Sequence, residues 1–121
     1  MSNDNPTKKE INFWFHKGKQ AYKKNLYAEA VKWLQDATDA GHTEAKYYLG
    51  LCYYYGDGVQ KDQDKGTQLL REAAQDGCTD AMEYLGKYIL RYNDYEAYQW
   101  LKKAGCDYEA DDLMRIHQMM L

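Results

Sequence analysis

Apolar residues recur along this chain at spacings of three and four residues, which places them on one face of an α-helix. Two such stripes are Ala45, Leu49, Cys52 and Tyr53, and Leu69, Leu70, Ala73 and Ala74. A single proline in 121 residues leaves such helices uninterrupted. The pattern predicts seven helices, at residues 8–24, 27–40, 44–55, 63–76, 80–92, 94–103 and 108–120.

Residues that start and stop helices stand at the ends of these stripes. Residues 7–10, Thr-Lys-Lys-Glu, are typical of a capping box at the start of the first helix. Thr43 and Thr79 are predicted to cap two later helices. Gly41 and Gly77 are predicted to end the helices before them, because glycine reaches the left-handed conformation at low cost.

The chain also repeats itself. A segment from Trp33 matches one from Leu69, with each matched residue 36 positions from its counterpart. The matched pairs are Ala37 and Ala73, Gly41 and Gly77, Ala45 and Ala81, Leu49 and Leu85, and Gly50 and Gly86. A shorter copy follows from Tyr95, and a compressed copy precedes from His16.

Repeated helix pairs bury their apolar faces by stacking on their neighbours. The predicted fold is therefore all-α, an α-solenoid of about three antiparallel helix hairpins with a C-terminal capping helix. We expect one domain over residues 1–121, with repeats at about 8–41, 42–77 and 78–105 and the capping helix at 107–121.

Residues 45–77 resemble one Sel1-like repeat (SLR) almost throughout. The alanine, the Leu-Gly pair, the tyrosine, the Gly-x-Gly-Val bend, the aspartate, the paired alanines and the closing glycine are all present. The first copy is closer to the related tetratricopeptide repeat, while Gly66 and Leu69 stand where the family has Ala and Trp. The resemblance implies a non-catalytic adaptor or scaffold that mediates protein–protein interaction, of a kind found in the bacterial cytoplasm.

The glycines have two predicted roles. Small residues let helices approach closely. We therefore expect three contacts: Gly18 with Ala30, Gly50 with Gly66, and Gly86 with Ala97. Residues 56–59, Gly-Asp-Gly-Val, are predicted to reverse the chain, with the valine tucked back onto the core.

An aromatic and basic strip is predicted along the first helices of the hairpins, where repeat proteins present a concave face. Its members are Phe15, Lys19, Tyr22, Lys23, Tyr47, Tyr48, Leu51, Tyr54, Tyr55, Tyr84, Lys87 and Arg91. Tyrosine and arginine are favoured at interfaces, and lysines would attract an acidic peptide or a C-terminal carboxylate. The alternatives are tyrosines half-buried between hairpins and lysines on solvated helix faces.

Charge and composition narrow the partners further. A net charge of −3 disfavours nucleic acid and anionic membranes as partners. The N-terminal residues carry no apolar stretch of signal-peptide length, and no run of about 18 apolar residues occurs, so we expect a cytoplasmic protein.

Candidate chemistry is sparse. The three cysteines form no Cys-x-x-Cys pair, and the three histidines have no metal-ligand spacing, so no metal or cofactor is assigned and an enzyme is not expected. Cys78 and Cys106 precede predicted helices, whose dipoles can lower a thiol pKa, which makes a redox sensor one alternative. A second alternative is an inhibitor or immunity-type protein that blocks a single enzyme.

Overall fold

The computed structural model describes residues 5–90 and 95–119. Within them the chain forms seven helices and no strand, so the all-α prediction is confirmed. The helices are α1 (Lys8–Lys23), α2 (Tyr27–Asp39), α3 (Thr43–Tyr55), α4 (Gln63–Gln75), α5 (Thr79–Tyr84), α6 (Tyr95–Lys103) and α7 (Asp107–Met119). A π-helical turn, Leu85–Ile89, directly follows α5. The chain divides into two compact units, residues 1–69 and 70–121, with the division inside α4.

In the first unit, α1, α2 and α3 enclose a core of small and branched side chains. Its fully or almost fully buried members are Phe15, Ala21, Ala30, Leu34, Ala37, Ala45, Leu49 and Cys52. Alanines at the crossing points bring the helix axes close together, and the leucines fill the space on either side.

Two glycines of this unit lie where helices touch. A Cβ atom on Gly18 would be 2.7 Å from Cγ of Leu34 and 3.2 Å from its backbone nitrogen, so this glycine lies against Leu34, one turn after the predicted Ala30. A Cβ atom on Gly66 would lie 2.7 Å from the carbonyl oxygen of Gly50, which confirms that predicted glycine pair. Larger residues at either crossing would push the helices apart.

The predicted turn after α3 is present. Gly56 and Gly58 both adopt a φ of 75°, in the left-handed region that favours glycine. A side chain on Gly58 would also collide with the backbone of Tyr27 and Ala28 at the start of α2. Val59 packs against the core, as expected, so the turn closes one edge of the unit.

The helix ends follow the sequence with one correction. Thr7 and Glu10 form the predicted capping box, and Gly41 and Gly77 follow α2 and α4 with positive φ. Thr43 and Thr79 are not caps, because each is already the first helical residue. The caps are the residues before them: His42, whose Nδ1 accepts the backbone N–H of Ala45 at 3.2 Å, and Cys78, whose side chain makes no capping hydrogen bond.

The second unit has its own core, made by Ala97, Leu101, Ala110 and Leu113. Here a Cβ atom on Gly86 would meet Cγ of Leu101 at 2.6 Å and the carbonyl oxygen of Ala97 at 3.2 Å, so the predicted Gly86–Ala97 approach is present. Ion pairs also connect the helices of this unit, for example α4 and α6. Arg71 donates two hydrogen bonds to the carboxylate of Glu96, at 2.9 and 3.0 Å.

Candidate functional site

Aromatic side chains of the first unit gather on the side of α1 that meets α3. The Phe15 ring stacks on the imidazole of His42, with centroids 4.2 Å apart and planes inclined by 19°. Phe15 is buried, so it presents little surface to a partner and would contribute to binding only by holding the side chains packed against it. The ammonium of Lys19 lies 5.7 Å from the Phe15 ring and 6.0 Å from the Tyr48 ring, within reach of a cation–π interaction.

A chain of tyrosine contacts continues from this point. The rings of Tyr22 and Tyr48 meet edge to face at 5.2 Å, and those of Tyr48 and Tyr47 at 5.1 Å. Tyr22 also meets Tyr27 edge to face. Burial raises the pKa of Tyr22 to about 12, so its hydroxyl stays protonated at neutral pH. We name the group formed by Lys19, Tyr22, Lys23, Tyr47 and Tyr48 the Lys19 surface.

Two further predicted tyrosines lie at the end of α3. Tyr54 and Tyr55 meet edge to face at 5.1 Å, and Tyr55 is half exposed. Leu51, on the same helix, is 5% exposed and presents little surface to a partner.

The lysines of the Lys19 surface differ in their ion pairs from Lys87, the predicted lysine of the second unit. Among the described residues, no carboxylate lies within ion-pair distance of Lys19 or Lys23. Lys23 is exposed, and Lys19 is half-buried against the rings. Their charges are therefore available to an acidic ligand.

The predicted residues of the second unit are in a different electrostatic setting. Lys87 contacts the carboxylates of Glu83 at 2.6 Å and Glu109 at 3.3 Å. The hydrogen bond with Glu83 is the main reason that the pKa of Lys87 is raised. Tyr84 lies against Tyr88, with ring centroids 4.9 Å apart. The remaining predicted residue, Arg91, lies outside the described residues.

Two residues of the candidate surfaces escaped the sequence reasoning. His42 was not assigned a role from the sequence. It stands between Gly41, which ends one helix, and Thr43, which starts the next, and this is the position of an N-cap. Tyr88 was also missed. The signal that could have indicated it is the 36-residue repeat, which aligns Tyr88 with the buried Cys52.

Two of the three thiols have pKa shifts opposite to those of a redox sensor. Burial raises the pKa of Cys52 to about 12 and also raises the pKa of Cys106. A reactive thiol needs the opposite shift. Cys78 is buried, and none of the three cysteines forms a disulfide bond.

The described residues hold no candidate for two other kinds of site. In that part of the chain, no group of three or more His, Cys, Asp or Glu side chains is placed to hold a metal ion. None of the described helices combines the length and apolar character needed to cross a membrane.

Two of the curated proteins that are similar to this chain are named as regulators. Over 75 residues, 62% of this chain, the sequence is 33% identical to an exopolysaccharide production negative regulator of Rhizobium meliloti (strain 1021). The protein of the same name from Rhizobium leguminosarum bv. viciae matches equally. An uncharacterized protein of Neisseria meningitidis serogroup B is 35% identical over 71 residues, 59% of this chain and 15% of that protein. The matched segment spans 28% of each rhizobial protein.

Comparison with protein families assigns nearly the whole helical region. The Sel1 repeat model matches residues 13–42, 43–78 and 79–107, which include α2 to α6 and most of α1 but only the first residue of α7. These repeats contain the Gly-x-Gly-Val turn and the glycine contacts described above. The chain therefore belongs to the Sel1 repeat family.

Proposed function

We propose that this protein is an adaptor or scaffold of the cytoplasm whose Lys19 surface binds an acidic segment of a protein partner. Sel1 repeats generally mediate protein–protein interaction and are typically non-catalytic, which supports the coarse assignment. The observation that carries the finer proposal is Lys19 itself: an ammonium held over two aromatic rings with no carboxylate partner among the described residues.

The surface offers an acidic segment two kinds of contact. Tyr22, Tyr47 and Tyr48 give a connected aromatic patch whose rings lose little conformational entropy on binding, since they already touch one another. Lys19 and Lys23 give charge-assisted hydrogen bonds to carboxylates, including a free C-terminal carboxylate. The aromatic patch provides buried area, and the lysines select the sign of the ligand charge.

The test is a peptide array scored against the 121-residue chain. Peptides ending in aspartate or glutamate would be presented with a free or an amidated C-terminus, beside matched peptides ending in asparagine or glutamine. We expect acidic peptides to bind, with affinity that weakens as salt is raised. Lys19→Glu combined with Tyr48→Ala should remove this binding, while Lys32→Glu, an exposed lysine of α2, should preserve it.

Two controls make the array decisive. Circular dichroism would first show that each variant is folded. Equal binding of acidic and amide peptides, or retention of acidic peptides by the Lys19→Glu, Tyr48→Ala variant, would contradict the proposal.

The second candidate function is inhibition of one partner enzyme. The names of the two rhizobial relatives, as negative regulators, favour it. An inhibitor binds a single partner tightly and abolishes its activity, whereas an adaptor binds several partners with modest affinity. Calorimetry on captured partners, with an activity assay of each complex, separates the two functions.

A further inference from the structure

His42 connects the start of α3 to the aromatic core of the first unit. Its Nδ1 accepts the backbone N–H of Ala45 at 3.2 Å, and its ring stacks on Phe15 with centroids 4.2 Å apart. Ala45 is fully buried, so water does not replace the imidazole as a partner for this N–H group. One side chain therefore satisfies a backbone donor of α3 and packs against α1 at the same time.

Both contacts require the neutral imidazole. A ring nitrogen that accepts a hydrogen bond carries no proton, so the proton of the neutral His42 ring is on Nε2. After protonation, the Nδ1–H group and the N–H of Ala45 would be two donors directed at each other. The ring of His42 must then turn away, and its stacking on Phe15 is lost together with the cap.

Phe15 connects His42 to the Lys19 surface. The ammonium of Lys19 lies 5.7 Å from the Phe15 ring and 6.0 Å from the Tyr48 ring. The ring centroids of Phe15 and Tyr48 are 6.1 Å apart. Tyr48 also belongs to α3, the helix that His42 caps. A change at His42 therefore reaches Lys19 and Tyr48 by two routes, through the Phe15 ring and through the start of α3.

Charged groups around His42 influence when it takes up a proton. Burial has the largest effect and lowers the pKa of His42, so the neutral form prevails at neutral pH. Glu44, on α3, opposes this shift, and His16, on α1, adds to it. Lys8 and Glu44 border the cleft beside the imidazole, and among the described residues the end of α2 contributes no charged side chain to this cleft.

We propose that His42 positions the Lys19 surface only while its imidazole is neutral, so that acidification weakens the binding of an acidic segment there. This inference rests on the function proposed above for the surface. A positive charge added at His42 would by itself strengthen the binding of an acidic segment, but salt screens that attraction. The loss of positioning is therefore the larger effect, and the direction of the pH dependence distinguishes it from a gain of charge.

The first test uses the 121-residue chain without a ligand. In NMR spectra, the Cε1–H signal of His42 reports its protonation as pH is lowered. We expect the amide of Ala45 and the ring of Tyr48 to shift with the same midpoint. His42→Asn should remove these shifts, because asparagine is a cap that does not titrate. Signals of Ala45 and Tyr48 that do not follow the titration of His42 would overturn the proposal.

The second test measures the binding of a rhodamine-labelled octapeptide of alternating glycine and aspartate by fluorescence anisotropy. Its carboxylates stay ionised at pH 5.5, because aspartate titrates at about pH 3.9. We expect the wild-type chain to bind about two- to fivefold more weakly at pH 5.5 than at pH 7.5, the factor that a helix cap of ordinary strength provides. His42→Asn should keep its affinity over this range, whereas His16→Gln should still lose affinity. Circular dichroism at both pH values would show that each chain is folded.

The two tests separate failure of this inference from failure of the proposed function. An affinity of the wild-type chain that is equal or higher at pH 5.5 would overturn the inference. Absence of binding at both pH values would refute the proposed function of the Lys19 surface. The titration without a ligand would still decide whether His42 positions Tyr48.

Discussion

The hairpins of α1–α2 and of α5–α6 solve the same packing problem and present different surfaces. In each, a glycine of the first helix faces a fully buried leucine of the second: Gly18 faces Leu34, and Gly86 faces Leu101. In each, a lysine follows that glycine. Lys19 lies over aromatic rings, whereas Lys87 contacts two carboxylates. The repeat thus specifies how helices cross, and the neighbouring side chains decide what charge the surface offers.

A second difference concerns how α3 and α5, the helices that follow Gly41 and Gly77, begin and end. α3 begins with His42, whose ring caps the helix, and α5 begins 36 residues later with Cys78, which provides no side-chain hydrogen bond. α3 stays α-helical to Tyr55, and α5 changes to a π turn at Leu85. The two units therefore differ where the repeat tolerates variation, outside the glycine–leucine contacts.

The largest expected effect tests whether the two crossings are equivalent. Gly18→Ala and Gly86→Ala should each lower the free energy of unfolding by about 1–3 kcal/mol, because the new methyl group would overlap a leucine that has no room to move. The gain in helix propensity, about 1 kcal/mol, offsets part of this cost. Urea denaturation followed by circular dichroism measures both.

Gln20→Ala, an exposed substitution on α1, is the control and should leave stability nearly unchanged. A loss at Gly18 with no loss at Gly86 would mean that the two hairpins do not share the same contact.

An intermediate effect is expected at His42. Burial lowers the pKa of this histidine, although Glu44 acts in the opposite direction and His16 adds to the lowering. The unfolded chain therefore takes up the proton first as pH falls, and stability present above about pH 6.5 is lost as pH drops through the folded-state pKa. Protonation also removes the Nδ1 acceptor that caps α3, a contribution of about 1 kcal/mol.

His42→Asn should remove most of this pH dependence, because asparagine is a good cap that does not titrate. In His16→Gln the slope should persist but be slightly smaller, because burial, the main cause of the lowered pKa of His42, remains and only the smaller contribution of His16 is lost. Stability would be compared between pH 8 and pH 5 by thermal unfolding, and an unchanged slope in His42→Asn would refute the assignment.

The smallest effect separates the two lysines. Lys87→Met leaves Glu83 and Glu109 without their counter-ion and should lower the melting temperature slightly, with the loss shrinking as salt is added. Lys19→Met removes no ion pair and should leave the melting temperature unchanged at every salt concentration. Differential scanning calorimetry at low and high salt gives the comparison, and equal salt dependence in the two variants would show that the contrast is absent in solution.

Much of the fold was predictable because its determinants are local. The spacing of apolar residues located six of the seven helices to within about one turn, and the 36-residue offset found the repeat. The helix predicted at 80–92 ends as α-helix at Tyr84 and continues as the π turn to Ile89. The capping box, the closing glycines and the Gly-Asp-Gly turn each depend on residues a few positions apart, and all three were confirmed. The two threonine caps were misassigned because each threonine directly follows the true cap, His42 or Cys78, and only the structure shows which residue precedes the first helical turn.

The binding surfaces were less predictable because their properties arise from contacts between distant residues. The same Gly-Lys dipeptide predicted a basic position at Lys19 and at Lys87 alike. The partner that neutralises Lys87 from α7, Glu109, is far along the sequence and is brought close only by folding. Whether Lys19, Tyr48 and the other predicted residues bind a partner stays a prediction.

The amino-acid sequence by itself determined the helices, their pairing and the family, since periodicity and glycine placement act over one or two turns. Only the tertiary structure decided that Phe15 stacks on His42, that Lys87 is neutralised while Lys19 is not, and that Tyr88, in the π turn, is exposed. These features depend on volume and charge at positions where helices meet, and such quantities are fixed when the chain packs.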